Sequence, residues 1–139
     1  MGITLDGDAL QFIATFEAVT GADASDCVVE DDRLLLVVAP GDMPDAIGPG
    51  GAHVREFEEQ VGREVKLVED SDDPADFVAN ALAPAAVYNV TISEGDETVA
   101  YVEVAQEDHG VAIGRGGRTI EAARTLAGRH FDIDDIQLT

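Results

Sequence analysis

A repeat with a spacing of 66 residues is the feature that most constrains the fold of this 139-residue chain. Residues 47–51 and residues 113–117 both read Ile-Gly-x-Gly-Gly, and each cluster precedes a helix-like run that ends in Gly-Arg. Without a gap, the same shift pairs further residues: Val38 with Val104, Ala46 with Ala112, Gly62 with Gly128, Val65 with Phe131 and Leu67 with Ile133. Such self-similarity predicts two copies of one small structural unit.

The apolar pattern predicts the same order of elements in both copies: helix, strand, strand, short helix, glycine turn, helix and strand. In the first copy we expect a helix that Gly21 ends, strands over 27–30 and 34–39, a short helix over 43–47, a helix that Gly62 ends, and a strand over 64–68. In the second copy we expect a helix capped by Asp73 and ended by Pro84, strands over 87–92 and 99–104, a short helix over 108–113, a helix that Gly128 ends, and a strand over 131–138. The acidic segment 69–73 is the expected boundary between the copies.

The charge of the chain is extreme, with 29 acidic residues against 8 basic ones and a formal net charge of -21. The acidic residues are spread along the whole chain, which disfavours a disordered acidic tail. Mimicry of nucleic acid is a second interpretation, and adaptation to a host with high internal salt is the one we favour. At about 1 M salt the Debye length is roughly 3 Å, so the self-repulsion of such a surface is largely screened.

The chain offers no catalytic or metal-binding pattern. Neither glycine cluster continues as a dinucleotide fingerprint, no Gly-Lys-Ser/Thr is present, and the three histidines are scattered. We therefore expect a protein that is not an enzyme and that has no metal or cofactor. The single cysteine, Cys27, excludes an intrachain disulfide and is expected to be buried. No membrane span or signal peptide is evident, so we expect no membrane partner and a cytoplasmic location.

The element order, with Ile-Gly-x-x-Gly between two helices, resembles the K-homology (KH) RNA-binding module in its prokaryotic, type II arrangement. The resemblance covers almost the whole chain, and among tandem KH proteins the length and repeat spacing resemble those of the archaeal NusA-like transcription termination factor family. It implies an α+β fold of two tandem type II KH domains, residues 1–69 and 70–139, each a three-stranded sheet with helices packed on one face. The resemblance also implies a protein that binds single-stranded RNA in transcription termination or elongation, with RNA polymerase as a further partner. Together with the acidic composition, it implies a haloarchaeal member of the family.

In KH domains the glycine turn holds a short single strand against an apolar groove. Glycine leaves room for the sugar-phosphate chain, and the following helix offers free N–H groups and a positive end. The expected RNA contacts of the first copy are Ile47, Gly48, Pro49, Gly50, Gly51, His53 and Arg55. Those of the second copy are Ile113, Gly114, Arg115, Gly116, Gly117, Arg118 and Arg124.

The two turns differ in charge. Half of all basic residues lie within residues 115–129, whereas the centre of the first turn is the neutral pair Pro49-Gly50. We therefore expect the second turn to dominate RNA binding, with the two copies packed closely to form one extended RNA track. Two alternatives remain open: an RNA-binding factor in ribosome assembly or RNA processing, and a protein-interaction scaffold with degenerate KH sites.

Overall fold

The computed structural model describes residue 3 and residues 5–139, which fall into two compact units, Met1–Asp70 and Ser71–Thr139. The first unit contains α1 (Gly7–Thr20), β1 (Ala24–Val29), β2 (Arg33–Val38), α2 (Met43–Ile47), α3 (Ala52–Val61) and β3 (Glu64–Glu69). The second contains α4 (Pro74–Leu82), β4 (Val87–Glu94), β5 (Thr98–Val104), α5 (His109–Ile113), α6 (Arg118–Phe131) and β6 (Asp135–Leu138). The predicted element order is therefore confirmed.

Each unit has one three-stranded sheet with the same topology. The central strand, β2 or β5, pairs antiparallel with the strand before it and parallel with the last strand of its unit. The antiparallel pair is closed by a short hairpin, whereas the parallel pair needs the long connection through two helices and the glycine turn. This arrangement confirms the predicted α+β fold of two type II KH domains.

In the first unit, the helices cover one face of the sheet. Leu34, Leu36 and Val38 alternate along β2 and join the buried cluster beneath α1 and α3. Phe16 of α1 and Phe57 of α3 are both fully buried and meet edge to face, with ring centroids 5.2 Å apart. Burial of each ring contributes about 1.5–3 kcal/mol, so this pair fixes how the two helices cross.

Helix ends follow the signals in the sequence. The Asp73 carboxylate accepts a hydrogen bond from the Asp76 N–H, 2.9 Å away, as the predicted cap of α4. Gly21 and Gly62 follow α1 and α3 in the left-handed conformation that ends a helix, which confirms both predicted stops. Cys27 is 2% exposed, as expected for a small apolar residue in a strand.

The prediction that Gly128 ends α6 was wrong. The helix continues to Phe131 and ends at Asp132, which has φ 55°. The added turn is stabilised by Phe77 of α4, whose ring lies 5.2 Å from Phe131 and 5.0 Å from His130 between centroids. The last strand starts at Asp135, so the predicted strand 131–138 was too long.

The uninterrupted 66-residue alignment was therefore wrong for the last strand of each unit. Strand pairing places Val65 beside Leu34 and Ile136 beside Ala100, so Val65 matches Ile136 instead of Phe131. The first strands are shifted too, because Ala24 lies opposite Val38 whereas Val87 lies opposite Val104. The repeat is thus in register from the central strand through the glycine turn and into the helix that follows, and it is lost where α6 continues past the point at which α3 ends. No helix among the described residues is long and apolar enough to cross a membrane.

Candidate nucleic-acid interface

The two glycine turns, residues 48–51 and 114–117, have almost the same backbone. The first glycine has φ 73° and ψ 172° in one turn and φ 79° and ψ 168° in the other. The third residue has φ 60° in the first turn and φ 63° in the second, and the fourth has φ 80° and φ 79°. In both turns the N–H of the fourth residue donates to the carbonyl of the first, at 3.0 and 3.1 Å. Pro49 and Arg115 therefore occupy equivalent positions.

The first glycine of each turn is required by a side chain that lies over it. A Cβ on Gly48 would overlap the ring of His53, and one on Gly114 would overlap the hydroxyl of Thr119. His53 and Thr119 are equivalent in the repeat, so each turn is closed by the second residue of the helix that follows. Thr119 was not among the residues expected from the sequence, although its alignment with His53 could have identified it.

His53 is partly buried in the first turn. Its Nδ1 lies 2.6 Å from the carbonyl oxygen of Asp45, and since a carbonyl only accepts, Nδ1 carries the proton. This bond joins α2 to α3 across the turn. The structure thus brings His53 to the turn, where the sequence predicted it.

Arg55 places a cation on the first turn, whose own residues are uncharged. Its guanidinium donates to the carbonyl of Gly50 at 2.7 Å, and a Cβ on Gly51 would come within 2.9 Å of the same nitrogen. The equivalent residue of the second unit is Glu121, which instead pairs with Arg124 at 2.7 Å. The two turns therefore receive their cations from different positions.

In the second turn, the cation belongs to the turn itself. Arg115 is exposed, and its side chain makes no hydrogen bond or ion pair with any residue that the structure describes. Arg118 is the first residue of α6 and is partly buried. Both side chains begin within one helical turn of the N-terminus of α6.

Arg124 lies away from the turn and links α6 to β6. Its guanidinium donates to the Asp135 carboxylate and to the Ile136 carbonyl, both at 3.0 Å. Burial alone would raise the pKa of Asp135, but hydrogen bonds from Gln137 and the Ile136 N–H, together with the Arg124 charge, hold that pKa below its usual value. In the first unit Glu58 makes the corresponding link by accepting from the Val65 N–H at 2.9 Å.

Exposed apolar side chains flank both turns. Ile47 is 40% exposed and Ile113 is 42% exposed, immediately before the first glycine of each turn. Val111, on α5, is 43% exposed and was not identified from the sequence. These side chains offer apolar surface of the kind on which unstacked bases rest.

The helices that follow the turns begin without side-chain caps. Gly51 and Gly117 occupy the N-cap positions of α3 and α6, and no described side chain accepts a hydrogen bond from the first N–H groups of either helix. The first N–H groups, those of Ala52 and Arg118, donate to the carbonyls of Pro49 and Arg115. The positive end of the helix dipole, with no side-chain cap in front of it, favours an anion such as phosphate.

Family models match both units. Residues 13–72 match the model of the KH domain, and residues 74–139 match that of the NusA-like second KH domain. The two matches together cover nearly the whole chain and divide it at the boundary between the two compact units.

Relatives of similar length carry one name. The chain is 60% identical over 138 residues to the "Probable transcription termination protein NusA" of Halococcus morrhuae, covering 99% of both chains. It is 32% identical to the protein of the same name from Methanococcus vannielii, covering 99% of this chain and 80% of the relative. The crystal structure of APE1850 superposes with a TM-score of 0.87 at 27% identity, covering 97% of this chain and 100% of that one.

Proposed function

The chain belongs to the family of NusA-like transcription termination proteins with two KH domains, and we propose that it binds single-stranded RNA through its two glycine turns during transcription termination or elongation. RNA polymerase is the further partner of this proposal. The protein would act in the cytoplasm of a cell with high internal salt, as its net charge of -21 suggests.

The observation that carries the proposal is the shared geometry of the turns. Each presents an uncapped helix start behind residues that lack a Cβ where the backbone has positive φ. A phosphate can approach such a surface closely and accept hydrogen bonds from the helix N–H groups. When one turn holds an RNA strand, the other turn on the same chain is present at a raised local concentration around that strand.

The side chains around the turns supply the remaining contacts. Arg115 and Arg118 would neutralise phosphates at the second turn, and Arg55 would do so at the first. Ile47 and Ile113 would support bases, and His53 would contact the strand at the first turn. Arg124 is left out of this proposal, because its guanidinium is held by Asp135, Ile136 and Glu121.

We expect the second turn to contribute more affinity than the first. Pro49 lacks the N–H that Arg115 has, and the Arg55 guanidinium already donates to Gly50. Arg115 has no such internal partner among the described residues. The two turns have nearly the same backbone conformation. The expected difference in RNA affinity therefore comes from the charge and hydrogen-bonding capacity of their side chains.

The test is titration of the full chain with single-stranded RNA at high salt. Gly116→Asp should weaken binding about tenfold or more, because it adds an anion where phosphate would lie, and Gly50→Asp should weaken it less. Gly41→Asp is a matched control, since Gly41 also has positive φ and open space for a side chain. Equal losses at both turns would contradict the ranking, and no loss at either would contradict the proposal.

A protein-interaction scaffold is the second candidate, and the neutral Pro49-Gly50 pair together with the acidic surface favours it. It predicts that polymerase binding survives both Gly→Asp changes and that RNA affinity is absent even in molar salt. A role in ribosome assembly or RNA processing differs from termination only in the RNA that is bound. Crosslinking in cells would separate them, with crosslinks at transcript 3′ ends supporting termination.

A further inference from the structure

A surface cavity of about 480 Å³ lies in the second unit beside the start of α5. Its lining residues are Tyr88, Glu103, Val104, Gln106, His109 and Thr139. The polar side-chain atoms of Tyr88, Glu103, Gln106 and His109 form no hydrogen bond or ion pair with any residue in the described part of the chain. An open cavity with several uncommitted donors and acceptors has the chemistry of a small-ligand site.

Tyr88 provides an aromatic face at the rim of this cavity. It is 66% exposed and lies where the pairing of β4 with β5 shifts register, between Val87 and Asn89. A bulge of this kind redirects a side chain out of the regular alternation of a strand. An exposed tyrosine ring is a surface on which a nucleobase can stack.

The cavity is also close to the second glycine turn. His109 is both a lining residue and the first residue of α5, and α5 ends at Ile113, directly before Gly114. The five residues of α5 span roughly 7 Å along the helix axis. Ile113 is exposed and lies four residues after His109, on the same face of α5, so a strand held at the turn has an exposed apolar side chain on the side of the helix that reaches the cavity.

We propose that this cavity binds one base of the RNA strand held at the second turn, and that it prefers a base with an exocyclic amino group to uracil. Tyr88 stacks on the base, and the Glu103 carboxylate accepts a hydrogen bond from the amino group, which adenine, cytosine and guanine have and uracil lacks. Gln106 and His109 can bond the remaining polar atoms of the base edge. This inference rests on the proposed RNA-binding function.

The first unit has no equivalent of these side chains. By strand register, Ser25 corresponds to Tyr88 and Val37 corresponds to Glu103, while Met43 corresponds to His109. The Ser25 hydroxyl donates to the Asp70 carboxylate at 3.0 Å, so it is already paired. The base preference should therefore come from the second unit alone.

Oligocytidine and oligouridine of equal length test the proposal, because their bases differ at the position that Glu103 would read. Affinities are measured with the full chain at high salt. The wild-type chain should bind oligocytidine about tenfold more tightly than oligouridine. Glu103→Gln should remove most of that preference, and Tyr88→Ala should weaken binding of both RNAs about fivefold or more.

Tyr101→Ala is the matched control, since Tyr101 is an exposed tyrosine of the same sheet that does not line the cavity. Thermal unfolding of each variant verifies that it is folded. Suppose that Tyr88→Ala and Glu103→Gln keep the wild-type affinity and base preference while Gly116→Asp loses affinity. That result would overturn the proposal that the cavity binds a base, and the proposed function would still stand. Absence of binding to either RNA by the wild-type chain would overturn both.

Discussion

The two glycine turns share a backbone and differ in every charged side chain around it. Their φ and ψ angles agree within a few degrees, although one has proline and the other arginine at the second position. The glycines and the helices on either side therefore determine the conformation of the turn. The side chains are free to differ, and they decide how strongly each turn can attract an anion.

The difference extends to the helices that follow. Arg55 and Glu58 on α3 correspond to Glu121 and Arg124 on α6, so the acidic and basic positions are exchanged. The second residue of each pair contacts the last strand of its unit. Glu58 accepts from the Val65 N–H, and Arg124 donates to the Ile136 carbonyl. The same mechanical link is thus made with opposite charges. The first residue of each pair is then a cation, Arg55, beside the first turn and an anion, Glu121, beside the second turn.

The largest expected effect comes from Gly114→Ala. The backbone conformation there is nearly restricted to glycine, and the new methyl group would also approach the Thr119 backbone nitrogen at 2.8 Å. We expect a loss of about 2–4 kcal/mol in the free energy of unfolding, measured by urea denaturation at high salt.

Gly48→Ala should cost less, because the atoms in its way belong to the His53 ring, which can rotate. The double variant Gly48→Ala/His53→Ala should recover part of that loss, whereas Gly114→Ala/Thr119→Ala should recover less. Equal recovery in the two units would show that backbone crowding does not distinguish the turns.

The next effect concerns the cations. Arg115→Ala should weaken RNA binding about tenfold through loss of a charge-assisted contact, and Arg55→Ala about threefold, since Arg55 shares its donors with Gly50. Binding is measured by titration at fixed salt. Arg115→Lys and Arg55→Lys keep the charge but lose the paired donors, and each should retain part of the affinity. A larger loss at Arg55 would reverse the proposed ranking.

Pro49→Arg transfers the cation of the second turn to the first. Arg115 and Pro49 occupy equivalent positions in turns of nearly the same backbone conformation. An arginine at position 49 should therefore fit the turn and restore an N–H donor. In a Gly116→Asp background, where the first turn must supply the binding, we expect a gain in RNA affinity of about three- to tenfold. Arg115→Pro with a Gly50→Asp background is the reciprocal control. No gain in the first case would show that side-chain charge does not limit the first turn.

The smallest effect is expected from Arg124→Ala, which should lower stability by about 1 kcal/mol and leave RNA affinity unchanged. Because the folded-state pKa of Asp135 is depressed, its contribution is present above the unfolded-state pKa and is lost as pH falls through the folded-state pKa. Removing the Arg124 charge raises that folded-state pKa, so the pH-dependent loss of stability should be smaller and should be complete at a higher pH. Unfolding measured from neutral pH down to about pH 3 tests the shift.

Glu58→Gln is the matched variant in the first unit, since the amide oxygen can still accept from Val65. Its stability should change less than that of Arg124→Ala. A loss of RNA affinity in Arg124→Ala, with stability unchanged, would return Arg124 to the RNA contacts that the sequence suggested.

The sequence predicted most of the helix ends and failed at the end of α6. The order of elements, the stops at Gly21 and Gly62 and the cap at Asp73 were all confirmed, because each depends on residues that are close along the chain. The end of α6 was mispredicted, since Gly128 resembles Gly62 in sequence but stays inside a helix. The contacts of Phe131 and His130 with Phe77, distant along the chain, stabilise the extra turn.

Among the expected RNA contacts, the sequence located the glycines, the flanking isoleucines and the arginines, but it did not show what those side chains touch. It named Arg55 among the contacts of the first turn, but it did not show that the guanidinium donates to the Gly50 carbonyl. It grouped Arg124 with the other arginines of the second turn, whereas this side chain binds the last strand. Helical spacing predicts which residues share a face, but it does not predict which long side chain will turn back towards a loop.

By itself, the sequence determined that the chain has two KH units, each with a glycine turn between two helices. Local backbone preferences and the period of the apolar residues are sufficient for that conclusion. Only the tertiary structure decided that the Arg55 guanidinium donates to the Gly50 carbonyl, that Arg124 links α6 to β6, and that Tyr88 and His109 line one cavity. These contacts join residues whose separation in sequence carries no signal, and they depend on strand register and side-chain packing.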